Sequence, residues 1–237
     1  MKKNIPNIIT SLNLLLGWTS VYFAYLGEID WAIAAILLAS VFDYLDGFAA
    51  RKLNAQSALG AQLDSFADLI TFGIAPAVVV YSVSSLSLLF AEKGVGFCLF
   101  LVLGLIPLIG AIRLAKFNTM KDESSFFVGL PIPAFALITV CLTWTYIELN
   151  SLIVNIANYE IIFPLIILSI SFLMVSKWKF LSLKIKNLNF DQNKLVYILV
   201  ISSLIVLLLL IIFGNIFLIL PIVLFLYLLF SLINNFI

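Results

Sequence analysis

No histidine occurs in these 237 residues, which removes the commonest general base and the commonest transition-metal ligand. Charge is scarce as well: Asp, Glu, Lys and Arg make up 11% of the chain, against roughly 25% in a soluble domain. The formal net charge is +1, so no bulk field points to nucleic acid or to an acidic partner. Two cysteines, Cys98 and Cys141, lie in apolar runs and read as packed thiols rather than a disulfide. What fills the chain is hydrocarbon, with 64% hydrophobic residues and a mean hydropathy of +1.21. A bilayer core of about 30 Å takes about 20 apolar residues per crossing. The length therefore predicts an all-α polytopic membrane protein of around eight spans, with little left for a soluble domain.

Breaks in hydropathy place the spans near 7–26, 30–52, 64–84, 95–117, 131–149, 159–176, 194–213 and 216–235. The basic start is followed by an apolar run that Asn7, Thr10 and Asn13 interrupt, with no small-residue cleavage site, so a retained first helix is expected rather than a removed signal peptide. With the N-terminus in the cytoplasm, all the basic residues except Lys93 fall on the cytoplasmic side. The positive-inside rule then puts both termini there. The segment 177–194 reads as a surface-lying cytoplasmic loop. One catalytic domain, 1–237, is expected, with its chemistry in 1–135 and the helices of 155–237 serving structure or a dimer contact.

Against that apolar background, Asp43, Asp46, Asp64 and Asp68 stand within one short stretch. A charge at membrane depth costs roughly 2.5 to 3.5 kcal/mol on insertion scales, and such groups mark ion, proton or substrate sites. Asp43 and Asp46 are three apart and Asp64 and Asp68 four apart, so each pair shares a helix face and two facing helices would converge all four. They fall at the cytoplasmic ends of the second and third spans, below the headgroups, within reach of a lipid headgroup. Four ionised carboxylates repel unless cations compensate them. Two divalent ions would bring the charge to zero, and all-oxygen ligation favours Mg²⁺ or Mn²⁺, with Ca²⁺ a competitor. Phosphoryl transfer is the reaction class that such a pair serves. Gly47 and Gly60, on the faces of Asp43 and Asp64, admit a ligand or simply let helices pack closely. Arg51 can pair with phosphate bidentately or act as a positive-inside anchor.

Asp43, Asp46, Gly47, Ala50, Arg51, Gly60, Asp64 and Asp68 fit D-x2-D-G-x2-A-R-x8-G-x3-D-x3-D at every position. This pattern resembles the CDP-alcohol phosphotransferase family. The resemblance implies a helical membrane enzyme, usually a homodimer, in which the four aspartates bind two divalent metals and Asp68 also serves as base. It further implies that Asn7, Thr10, Gly47, Ala50, Arg51, Ser57 and Gly60 lie around the CDP-diacylglycerol. Two more stretches, P-N-I-I-T-S-L-N-L-L-L-G from Pro6 and R-L-A-K-F-N from Arg113 followed by G-L-P-I-P from Gly129, resemble the phosphatidylserine synthase branch. That branch implies transfer of a phosphatidyl group from CDP-diacylglycerol to L-serine with release of CMP, at a bacterial cytoplasmic membrane with the site facing the cytosol. Lys116 stands where the branch commonly carries arginine, which keeps the charge but loses the fork. Arg113 and Lys116 are the expected acceptor-binding residues, with a topology anchor as their plainer role. Glycerol phosphate, inositol phosphate or choline would be rival acceptors. An intramembrane prenyltransferase would show two separated aspartate motifs, and a cation transporter would carry its acids nearer mid-membrane.

Overall fold

The computed structural model describes residues 4–84, 95–119, 127–152 and 159–180, together with short helical pieces at 198–199, 201–203, 222–223, 226–227 and 229–231. Seven helices follow one another through the four longer stretches: α1 (Ile5–Tyr25), α2 (Ile29–Lys52), α3 (Ala58–Val83), α4 (Val95–Leu103), α5 (Leu105–Thr119), α6 (Ile132–Leu152) and α7 (Tyr159–Ser171), which ends in a 3₁₀ turn, Phe172–Met174. The one exception to an all-helical fold among the described residues is a two-residue antiparallel bridge, β1 (Phe127–Val128) with β2 (Lys179–Phe180), pairing Phe127 with Phe180. Among the described residues five helical stretches are long and apolar enough to cross a membrane: α1, α2, α3, α4 with α5, and α6. Apart from those short pieces, the expected seventh and eighth spans and most of the 177–194 loop lie outside the described residues.

The first helix is inverted relative to one in a water-soluble protein. On α1 the buried positions are Pro6, Thr10, Asn13, Gly17, Ser20 and Ala24, all small or polar, while Ile8, Leu15, Trp18 and Tyr22 are exposed. In water this would squander apolar burial; in lipid, outward hydrocarbon costs nothing and small residues let backbones approach. Gly17 shows how closely: a Cβ there would collide with Thr71 of α3. The Ser20 hydroxyl donates to the Ala32 carbonyl (2.9 Å), fixing α1 against α2 in antiparallel register. Phe72, Val79, Val80, Ile106, Leu130, Phe135 and Ile167 fill the apolar centre where α3, α5, α6 and α7 meet.

Two helices depart from the simple spans that hydropathy suggests. The third begins at Ala58, six residues before the expected start, because Ser57 caps it: the Gly60 N–H donates to Ser57 Oγ (3.0 Å). It also contains a π turn, Leu69–Ile74. Pro76 follows that turn and lacks the N–H an α-helix would need, so the widened turn is where the ladder accommodates it. The fourth expected span is broken at Gly104, between α4 and α5, with Pro107 one turn on.

Candidate active site

α2 and α3 form a hairpin closed by residues 53–57. Asn54 takes a left-handed conformation (φ 48°), and the Ala55 N–H donates back to the Ala50 carbonyl (3.0 Å), ending α2. The turn is too short for anything but antiparallel neighbours, so both aspartate pairs come to the same end of the bundle. Asp43, Asp64 and Asp68 each offer a carboxylate oxygen, and those oxygens lie within 4.8 Å of one another. The Asp43 and Asp68 carboxylates face each other across the hairpin. Asp46 stays outside that trio, one turn nearer the hairpin loop, where it lines a cavity together with Asp64.

The cavity has a volume of about 350 Å³ and opens where α1 crosses the α2–α3 hairpin. Of the residues expected around the nucleotide, Asn7, Thr10, Gly47, Ala50, Ser57 and Gly60 line it. Arg51 does not; it is exposed, with its guanidinium near Gly47 at the rim, 3.5 Å from where a Cβ on Gly47 would sit. Pro6, Ala55, Gln56 and Ala61 also line the cavity and carried no chemical signal in the sequence. Gln56 could have been found, since a polar residue in the tight loop between the two aspartate pairs must border whatever they hold. The capped N-terminus of α3 opens onto this space, and its leading N–H groups favour an anion. Gly60 keeps that end open: a Cβ there would fall 3.0 Å from Asn7 Oδ1 and 3.1 Å from Ser57 Oγ.

Arg113 is buried beside the carboxylates, within electrostatic reach of Asp68. Its Nε donates to the Leu130 carbonyl and its Nη2 to the Gly129 carbonyl (3.4 Å), so part of the fork is committed to the loop entering α6. That loop is held from its other side, where the Gly129 N–H donates to Trp178 O (2.8 Å) and the Leu130 N–H to Leu173 O (3.0 Å). Lys116, one turn further along α5, is exposed. Asn118, the last residue of R-L-A-K-F-N and given no role from the sequence, donates from Nδ2 to Ser65 Oγ (2.8 Å) and ties the end of α5 to α3 beside Asp64.

The acidic cluster fits a divalent cation on its own chemistry. Asp46 Oδ2 and Asp68 Oδ1 are buried without a hydrogen-bond partner, an arrangement that positive charge would relieve. Three facing carboxylates of hard oxygen are a donor set for such an ion.

Comparison with known proteins agrees with this chemistry. Residues 3–233 match the family described as CDP-alcohol phosphatidyltransferase. The chain is 37% identical over 176 residues to CDP-diacylglycerol–serine O-phosphatidyltransferase of Bacillus subtilis (strain 168), covering 74% of this chain and 89% of that protein. It is 35% identical over 157 residues to archaetidylserine synthase of Methanothermobacter thermautotrophicus, covering 65% of this chain and 64% of that one. With the Mycobacterium leprae CDP-diacylglycerol–serine O-phosphatidyltransferase it shares 39% identity over 139 residues, which is 56% of this chain but only 44% of the relative. A match running almost end to end, on a chain that brings three of its four motif aspartates together at the end of one helical hairpin, makes this protein a member of the CDP-alcohol phosphatidyltransferase family.

Proposed function

We propose that this enzyme transfers the phosphatidyl group of CDP-diacylglycerol to L-serine and releases CMP. The observation that carries the reading is the junction of a nucleotide-sized cavity with a carboxylate trio that Arg113 approaches from the other side. The names of the Bacillus and Mycobacterium relatives support the same donor and acceptor. In this reading Asn7, Thr10 and the floor at Gly47, Ala50 and Gly60 take the cytidine diphosphate, with Ser57 holding the N-terminus of α3 toward the phosphates and Arg51 meeting them at the rim. Asp43, Asp46, Asp64 and Asp68 would hold two Mg²⁺ or Mn²⁺ ions. Bound there, those ions supply positive charge to the diphosphate and to the departing CMP. Asp68 accepts the proton of the serine hydroxyl, the serine oxygen forms its bond to the lipid-bearing phosphorus, and the bond from that phosphorus to the CMP oxygen breaks. Arg113, with further N–H donors beyond those spent on the loop, holds the serine carboxylate, and Lys116 adds charge at the approach.

The topology proposed with this mechanism has both termini and the site on the cytosolic side of a bacterial inner membrane. The donor then arrives laterally from the bilayer while serine and CMP exchange with the cytosol. A homodimer built through the C-terminal helices of 155–237, beside a catalytic part in 1–135, completes the proposal.

Offering the purified protein CDP-diacylglycerol with serine, glycerol phosphate, inositol phosphate or choline tests the acceptor directly. Serine-dependent CMP release, abolished by chelator, is the expected result; preference for any other acceptor would overturn the assignment. Within the cavity, Gly60→Val should raise KM for CDP-diacylglycerol by about tenfold or more, since the new side chain meets Asn7 and Ser57 where the nucleotide would lie. Tenfold corresponds to about 1.4 kcal/mol of donor affinity. A change confined to serine KM would move the nucleotide elsewhere.

A further inference from the structure

Asn13 is fully buried, and both atoms of its amide, Oδ1 and Nδ2, lack a hydrogen-bond partner. Buried amides are almost always satisfied, so an orphan of this kind points to a missing ligand. Its place in the bundle says which. α1 and α3 run side by side: Asn7 comes against Gly60, Gly17 comes against Thr71, and the Thr71 hydroxyl donates to the Asn13 carbonyl (3.1 Å). Asn13, between those two contacts, therefore stands opposite the turn of α3 that carries Asp68. α2 crosses α1 in the opposite sense, with Ala32 against Ser20 and Asp46 against Thr10. That register sets Asn13 opposite the turn carrying Asp43. Thr10, one turn away on the same buried stripe of α1, already borders the cavity with Asp46 and Asp64.

We infer that Asn13 is a fifth, uncharged member of the acidic site, giving its amide oxygen to a divalent cation held by Asp43 and Asp68 and its amide N–H to the unpartnered Oδ1 of Asp68. One side chain then satisfies its own two orphan atoms and a third on Asp68. An amide suits the position because oxygen ligands of Mg²⁺ and Mn²⁺ need not be charged. The inference rests on the cation reading of the cluster.

Mn²⁺ binding by the purified, nucleotide-free protein, followed by electron paramagnetic resonance, tests it. Asn13→Leu keeps the volume and removes both polar atoms, and should weaken Mn²⁺ about tenfold or more; Asn13→Asp restores a ligand oxygen and should stay within about threefold of the parent. Monodispersity and helical circular dichroism establish that each variant is folded, and Asn13→Ala serves as a second truncation should the leucine variant fail that check. Unchanged Mn²⁺ affinity in a folded truncation overturns the role of Asn13 alone. Equal loss in the aspartate variant and the truncation overturns ligation by the oxygen. No Mn²⁺ binding by the parent protein overturns the cation reading beneath it.

Discussion

Asp68→Asn is expected to lower kcat by roughly 10² to 10⁴ while leaving the nucleotide lipid able to bind, because it removes a basic oxygen while preserving size. Asp68 sits at the inner end of the trio, buried and with Arg113 nearby, which is where a proton acceptor facing an incoming hydroxyl would stand. Asp43→Asn should behave differently. It too subtracts a ligand but leaves the proposed proton acceptor's own carboxylate in place, so metal affinity and donor binding should fall together with turnover. Measuring turnover, CDP-diacylglycerol binding and Mn²⁺ affinity on both variants separates the roles. Near-normal turnover in Asp68→Asn would exclude it as the base, and equal metal loss in both would show that one carboxylate serves as base and ligand at once.

A comparably large effect is expected far from the carboxylates, at Gly129. Its φ is +80°, and a Cβ there would collide with the Met174 carbonyl oxygen, which is backbone and cannot swing aside. Gly129→Ala thus meets both a left-handed conformation that L-residues resist by roughly 1 to 2 kcal/mol and a collision. We expect a total destabilisation of about 2 to 4 kcal/mol. Because the Gly129 and Leu130 carbonyls receive the Arg113 fork, the same substitution should loosen Arg113 and raise KM for serine more than KM for the donor. Thermal unfolding in detergent and the two KM values check this, with Arg113→Lys as the variant that keeps charge and loses the fork. Wild-type stability in Gly129→Ala would show that the loop has room to move, and a purely donor-side KM effect would place Arg113 with the diphosphate.

The aspartate spacing carried most of what mattered, for a physical reason: four acids in an apolar chain have few purposes, and intervals of three and four residues fix a shared face whatever the tertiary detail. Family membership followed from those same positions. The inward stripe of α1 was half legible, since Asn7, Thr10 and Asn13 were noticed as interruptions while Gly17 and Ser20, which continue it, carry no charge to draw attention. The trio without Asp46 could not be read from spacing, because which member of an i,i+3 pair points inward depends on how the helices roll against each other. The commitment of Arg113 to the Gly129 loop was hidden for the same reason: its carbonyl partners are backbone atoms, which every residue possesses. The irregular turns in the third and fourth spans were missed although Pro76 and the Gly104–Pro107 pair lie at them, because hydropathy averages over such residues.

The π turn at Leu69–Ile74 has a meaning for rotational phase. An α-helix advances by about 100° per residue, so one residue accommodated in a widened turn offsets the two halves of α3 by about that angle. The half before the turn presents Asp64 and Asp68 to α1 and α2; the half after it buries Val79 and Val80 completely. An uninterrupted helix would have to aim one of these sets and accept the direction of the other. The widened turn lets a single rod be indexed twice, so substitutions that repack its apolar half need not rotate the acids out of aim.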